Sequence, residues 1–414
     1  MGGMRTRTGT LVAVLALTSV LAFGGAARGH AASSTNSLLA LTYAAGSGWS
    51  RLGPVDPFTL RPAGETVNLR GGVDSWSFSP DRQELALAGR SLLLSVVDAH
   101  SLQLRTELQL AERGDRVQAI SWLQPSRLLA LVAVANGVLV VAVDPHAGRI
   151  VRRTLVGRLY GYGFGRLSDR LAFLLESGGR IGPPRVAFAD ADGRVRVATV
   201  SRMLTGSSVS RRNRQPRVRQ RTAGFAVDPA GGRAYVVDRD FSVAEIDPLT
   251  LAIRYHAPTG RTVATTRRRE KLIEGSARSA AWLGGGQLVA GGVDWKLAGQ
   301  RSVPSPLPIR LIDVRTWSFR ALEARGTSFQ IGSGLVLVRD GNSVRGFAAD
   351  GSERYRTALP AYTWLTSGDG LLYACRNLLL TTVLDAETGS VVRAPAELKG
   401  SPCAQVLVAA ASPS

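Results

Sequence analysis

The stretch Trp76–Gly89 reads WSFSPDRQELALAG: an aromatic residue, a turn of Ser, Pro and Asp, then an apolar run. The same order returns in ISWLQPSRLLALVA from Ile120, YGFGRLSDRLAFLL from Tyr162 and AGFAVDPAGGRAYVV from Ala223. Aligned on the aromatic, the units fall at Trp76, Trp122, Phe164, Phe225, Trp282, Phe329 and Trp364, spaced by about 35 to 60 residues. Self-similarity on that scale demands a repeat architecture, because a unit of this size buries its apolar face only against its neighbours.

After each turn comes a β-prone run, such as ELALAG, RLAFLL, RAYVV, QLVAGG, GLVLV or GLLYAC. No segment keeps apolar residues at i, i+3, i+4 and i+7 over three turns, so the units are read as strands. Each unit has a second half, a β-rich run ending in Asp and a turn, at Asp98, Asp144, Asp190, Asp247, Asp313, Asp350 and Asp385. An Asp there accepts hydrogen bonds from backbone N–H groups two residues on and fixes the turn. An acid needed in every unit is structural rather than catalytic.

Four short strands per unit predict the blades of a β-propeller, lettered a to d from the axis outward. Residues 38–70 supply LLALTY, WSRLGPVDPFTL with Asp56 in the turn position, and ETVNL, which are strands b, c and d without a strand a. AQVLVAAA, Ala404 to Ala411, is a strand a with nothing after it. The two fragments make one blade, closing the ring and hiding its edges. The expected fold is all-β: a single propeller over residues 38–411 with eight four-stranded blades favoured, or seven if one unit is degenerate.

One unit, RAYVVDRDFSVAEIDPLTL from Arg233 to Leu251, resembles a YVTN-type propeller repeat, with Tyr235-Val236 in the signature place and Asp238 where that family tends to have Asn. The wider pattern is similar to WD-repeat-like and quinoprotein-dehydrogenase-like propellers. That resemblance implies the fold; such families include enzymes, periplasmic assembly factors and surface proteins, so it leaves the function open.

Residues 1–31 read as a secretory signal peptide: Arg5 and Arg7 precede the mostly apolar LVAVLALTSVLAF, Leu11 to Phe23, and small residues end in GHA at Ala31. Residues 32–37 form a linker. No other segment approaches the roughly 20 apolar residues of a spanning helix, so the mature chain is expected to be a monomer, secreted or held in the periplasm or cell envelope. Its two cysteines, Cys375 and Cys403, are an even count in an exported chain and are expected to form a disulfide. The formal net charge of +20 loses Arg5, Arg7 and Arg28 with the signal, leaving +17. Lys271, Lys296 and Lys399 are the only lysines among 51 basic residues, a bias that reflects coding composition as much as chemistry.

Chemistry-bearing motifs are scarce. His100 and His146 each follow a turn Asp and should lie a blade apart, His256 stands alone, and no metal site, catalytic set or cofactor is expected. There is no G-x-S-x-G elbow and no phosphate-binding Gly-rich loop. The insertions carry the signal instead. Residues 201–222 and 258–277 interrupt d-to-a connections, and residues 293–308 and, more modestly, 176–184 interrupt b-to-c connections. All four emerge on one propeller face, from consecutive blades. SRRNRQPRVRQR places Arg211, Arg212, Arg214, Arg217, Arg219 and Arg221 there without an acid, and RRREK adds Arg267, Arg268, Arg269 and Lys271, with Lys296 beside Trp295 in the third insertion. Guanidinium forks suit phosphate or carboxylate. The leading expectation is a non-catalytic exported propeller binding a protein or anionic envelope polymer through this face, with nucleic acid a poor candidate after export. The alternative is an enzyme of sugar-lactonase or quinoprotein type with its site at the central channel.

Overall fold

The computed structural model describes residues 38–408, apart from 45–48, 59–60, 115, 158–159, 177–179, 213–214, 258–274, 299–300, 327, 360–363, 369, 377–379 and 398–404. The described residues fold entirely into strands and turns, and the strands pair into eight sheets. Seven sheets are each built around one contiguous stretch of chain: residues 73–109, 116–157, 160–199, 224–256, 275–326, 329–358 and 364–397. The remaining sheet joins the two ends. Its strand order places Gln405–Val408 beside Leu38–Ala44, then Trp49–Val55 and Val67–Arg70. Leu38 pairs with Val408, and Leu41 with Gln405, in antiparallel register.

Alternation of buried and exposed residues explains how the sheets stack. A strand such as Glu84–Gly89 or Arg170–Glu176 is buried on both faces because each face meets a neighbouring sheet. The outer strand Arg149–Gly157 is mostly exposed, and Leu155 is open to solvent. Between each sheet and the next lies one hydrophobic cluster. Leu39, Leu41, Leu85 and Leu87 join the composite sheet to the sheet of residues 73–109. Leu38, Val55, Leu371 and Tyr373 join it to the sheet of residues 364–397. Six further clusters span the intervening pairs, and the ring is complete. The fold is an all-β single β-propeller.

The two sequence signatures have separate jobs. Trp122 is fully buried, its Nε1 donating to Pro125 O at 3.0 Å within its own turn. Neighbouring innermost strands are also laced together, since Ser75 and Ser77 Oγ accept the Ile120 and Trp122 backbone N–H groups at 3.0 and 3.1 Å. The turn aspartates cap their turns. Asp98 Oδ1 accepts from His100 and Ser101 N–H at 3.0 and 2.8 Å, Asp247 Oδ1 from Leu249 and Thr250 at 2.8 and 3.0 Å, and Asp385 Oδ1 from Glu387 and Thr388 at 3.0 and 2.7 Å. Asp56, in the composite sheet, does the same for Phe58 at 3.1 Å.

The insertions, read as loops from their polar sequence, are built largely of strands, with short turns such as residues 201–204. Thr205–Arg212 and Gln215–Thr222 form a hairpin, and the strands Gln287–Ala298 and Arg301–Asp313 run on beyond the outer strand of their sheet as a projecting arm. Pairing satisfies the backbone groups that a run of polar side chains leaves open. The signal segment, residues 1–31, lies outside the described residues, as does Cys403. Among the described residues no disulfide is seen, and no helix is long and apolar enough to cross a membrane.

Candidate anion-binding face

The inserted elements assemble on the sheet of residues 275–326. The strand order there is Ile181–Gly182, Thr205–Arg212, Gln215–Thr222, Gly275–Gly284, Gln287–Ala298, Arg301–Asp313 and Ser318–Gly326. Gly275–Gly284 is the innermost strand of its sheet. The hairpin adds to its axial edge through parallel pairs of Gln220 with Gly275, Arg221 with Ser276 and Thr222 with Ala277. The hairpin thus extends the sheet beyond its innermost strand. Its far edge is met by Ile181 and Gly182, from the b-to-c insertion two sheets back, paired with Gly206 and Thr205. All four insertions thus contribute described residues to one sheet.

The sheet changes course at a glycine. Gly292 has φ +154°, and a Cβ there would stand 2.1 Å from Ala277 O. The register slips between Ala290 and Val293, where the strand leaves the sheet and enters the arm. On the arm, Trp295 is half-buried rather than exposed, packed over the bare Cα of Gly275, and Lys296 is exposed. Prolines at 304, 306 and 308 recur on alternate residues of the outer arm strand, whose pairing with Ser318–Gly326 begins only at Leu307. Pro304 and Pro306, ahead of that pairing, strip donors from the open edge and so discourage another strand from adding to it.

A polar cluster roots this sheet. The Arg278 side chain is 1% exposed and pairs with Asp294 Oδ1 at 2.9 Å. Its Nε donates to Arg239 O at 2.9 Å, and its Nη1 to both Ala277 O and Val293 O at 3.0 and 3.2 Å. The guanidinium carbons of Arg278 and Arg310 lie 5.2 and 4.6 Å from the Phe241 ring centroid, a double cation–π contact. Asp238 accepts the Arg239 N–H at 2.7 Å, and burial pushes its carboxyl up to about 6, with Arg221 and Arg278 opposing the shift. Beneath the hairpin's far edge, burial pushes the Glu176 carboxyl up to about 7, the Gly206 amide opposing in part. Its Oε2 is sealed from solvent without a hydrogen-bond partner.

The structure gathers some of the sequence-derived site residues and leaves others aside. Arg211, Arg212, Arg217, Arg219 and Arg221 lie in the hairpin strands; Arg219 and Arg221 are half-exposed. Arg214, Arg267, Arg268, Arg269 and Lys271 fall outside the described residues. Lys296 sits on the arm of the same sheet. Sequence reasoning missed Arg278, Arg310, Phe241, Asp238 and Glu176. A lone Arg in the small-residue run SARSAAW and acids ending the apolar runs RAYVVD and RLAFLLE were the available signals.

Elsewhere, a cleft of about 430 Å³ between the sheets of residues 275–326 and 329–358 is lined by Glu323, Arg325, Asp340 and Arg345. The buried Arg345 is already paired there with Asp340 at 3.5 Å and with Glu353. His146 Nε2 lies 2.9 Å from Glu84 Oε2, and His256 stacks on Trp317 at 3.4 Å between centroids. Among the described residues no three His, Cys, Asp or Glu side chains converge as metal ligands.

No family model matches the chain, and no curated protein matches it. Solved structures do. The dihydro-heme d1 dehydrogenase NirN, in complex with DHE, matches with 12% identity over 90% of this chain and 74% of its own, at a TM-score of 0.57. Sqt1 from Saccharomyces cerevisiae matches with 12% identity over 80% of this chain and 86% of its own, at 0.51. BamB from Moraxella catarrhalis has 13% identity, with 84% and 92% covered and a TM-score of 0.46. At such identities the likeness concerns the fold alone: the chain shares the β-propeller architecture.

Proposed function

We propose that the protein is an exported, non-catalytic propeller that binds an anionic macromolecule of the cell envelope through the inserted sheet. The observation that carries this reading is the hairpin. The hairpin strands Thr205–Arg212 and Gln215–Thr222, with five arginines and no acid between them, are paired in register on the sheet rather than left as a solvated loop. Binding elements grafted onto one face of a repeat scaffold are the usual route to recognition in such folds. Each of the eight sheets is taken as one blade, a count supported by the clusters between them; the seven contiguous units alone would leave the composite sheet uncounted. Membership of the YVTN-type repeat family is supported by Tyr235, buried and stacked on Trp282 at 5.6 Å in the signature unit.

The test is binding of the mature protein to model polyanions across salt concentrations. For a nucleic-acid-like polymer the logarithm of affinity should fall by about 0.7 to 0.9 per phosphate neutralised for each tenfold rise in salt. Changing Arg211, Arg212, Arg214, Arg217, Arg219 and Arg221 to Ser should abolish most of that affinity. Salt-independent or variant-independent binding would defeat the reading.

A second reading, an enzyme with its site at the channel mouth, is favoured by one observation. Glu176 is a carboxyl held near neutrality at the edge of the insertion, and such groups cluster at catalytic sites. A stoichiometric metal, quinone or tetrapyrrole in protein purified from its native host would move the balance to that reading.

A further inference from the structure

We propose that Arg310, at the root of the arm, is a carboxylate-binding site that receives an Asp or Glu side chain of a partner protein. This rests on the anion-binding reading above and gives its ligand a chemical class. Arg310 stands between Ala290 and Ala321 in the ladders of its sheet, and residues opposite one another share a face. Both neighbours are too small to cover its side chain. Both ladders also slip beside it, between Ala290 and Val293 on one side and between Pro308 and Arg310 on the other, and such irregularities re-aim a side chain. The guanidinium carbon lies 4.6 Å from the centroid of the buried Phe241 ring, which holds it in place.

What this guanidinium lacks is an acceptor. Its Nε is sealed from solvent without a hydrogen-bond partner, and among the described residues Arg310 makes no hydrogen bond and no ion pair. Nη1 and Nη2 are not sealed, so they form the open edge of the group. Its counterparts are matched. Arg278, the other guanidinium on the Phe241 ring, is neutralised by Asp294, and Arg345, whose Nε is also sealed, pairs with Asp340 and Glu353. Arg310 thus keeps a positive charge without a carboxylate and presents two parallel N–H donors, the fork that matches the two oxygens of a carboxylate. Because Arg310 is half-buried, the ligand's charge has to reach in. Asp and Glu carry theirs on one or two methylenes, clear of the chain. A polyuronate bears its carboxylate directly on the sugar ring and a polyphosphate bears its charge in the chain itself, so either would have to bring the whole chain into the gap between the sheets of residues 224–256 and 275–326.

The experiment follows Arg310 in the full mature protein with decaglutamate, polygalacturonate and inorganic polyphosphate, matched in charge, as probes. Phenylglyoxal condenses with the Nη edge of accessible arginines, so peptide mapping should find Arg310 labelled and the buried Arg278 spared. Decaglutamate should slow the labelling of Arg310 about tenfold, and the other two chains less than about twofold. In equilibrium binding of decaglutamate, Arg310→Gln and Arg310→Lys should each cost about tenfold, since lysine keeps the charge but loses the fork. Arg70→Gln, which removes one exposed charge from another sheet, should cost less than about twofold. The labelling uses the unaltered protein, so it decides the matter even if a variant fails to fold. An unlabelled Arg310, decaglutamate that binds without protecting it, or Arg310→Lys binding as tightly as the parent overturns the site and leaves the anion-binding reading intact. Equal protection by polygalacturonate or polyphosphate overturns the acidic side chain as its ligand. If none of the three binds, both readings fall.

Discussion

Arg278 and Asp294 meet at 2.9 Å, and the arginine side chain is 1% exposed against 21% for its partner. The pair ties the innermost strand of its sheet to the root of the arm. Removing one partner of a buried pair leaves an uncompensated charge and orphaned carbonyls, at a cost of about 3–5 kcal/mol. Arg278→Ala should therefore lower stability to urea by that order. Asp294→Asn, which keeps an acceptor at a partly solvated position, should cost clearly less. Equal losses would show that the Asp294 charge, and not only an acceptor at that position, is what the buried guanidinium needs.

Two groups of carboxyls should give stability opposite slopes with pH. The turn aspartates Asp98, Asp144, Asp247, Asp313 and Asp350 are held below the usual carboxylate range chiefly by hydrogen bonds, from backbone N–H groups first at Asp98, Asp144, Asp247 and Asp313 and from Ser352 at Asp350. Their contribution is present above about pH 4, the unfolded value, and is lost as pH falls below it. Asp238, pushed up to about 6, and Glu176, up to about 7, act the other way. The folded state holds more protons there than the unfolded one, so stability drops as pH rises from about 4 to about 7 and levels off above. A Glu176→Gln, Asp238→Asn double variant should gain on the parent steadily through that window in urea melts. A constant difference across pH 4 to 8 would contradict the assignment.

Gly292 is the position where the arm leaves the sheet, and no larger residue fits its backbone. Gly292→Ala should cost about 2 kcal/mol or more, because a positive φ and a clash with Ala277 O act together. Gly182, where a Cβ would meet nothing within 4 Å, provides the control: Gly182→Ala should shift the melting temperature little. Thermal melts of the two variants decide whether the arm's geometry is imposed at Gly292.

Truncation before Gln405 should leave Leu38, Leu39, Ala40 and Leu41 without backbone partners on one side. The resulting LLAL edge is apolar and unguarded, the kind that recruits other strands. Light scattering should show the truncated protein self-associating at concentrations where the parent does not. A monomeric truncation with the parent's melting temperature would mean that the closing strand adds nothing.

The ring was legible in the sequence because its signals are local and repeated: an aromatic at Trp122 that must be buried, an Asp at 98 or 247 that must cap. The composite sheet was legible because strands b, c and d at residues 38–70 lack a partner that only the C-terminal run can supply. The inserted hairpin was not. SRRNRQPRVRQR has no alternation of apolar and polar residues, and its strand character comes from edges offered by Gly275–Ala277 and Ile181–Gly182, which are remote in sequence. Arg278 escaped notice for a similar reason, since its acceptors belong to a turn of the neighbouring sheet and to the arm.

The pairing of Leu38 with Val408 also sets the order in which the molecule can be made. The four blade strands of every other sheet are contiguous and can zip up from neighbouring hairpins as the chain emerges, but this sheet waits for the last strand, and the entropy of bringing such distant segments together makes that step slow. Until then the chain is an open arc with a leucine-rich edge at its leading end. Refolding should accordingly show a late phase, carrying the final gain in protection of the Leu38–Leu41 amides, that vanishes when residues 405–408 are absent. A cell making this protein must keep that arc solitary for as long as closure takes.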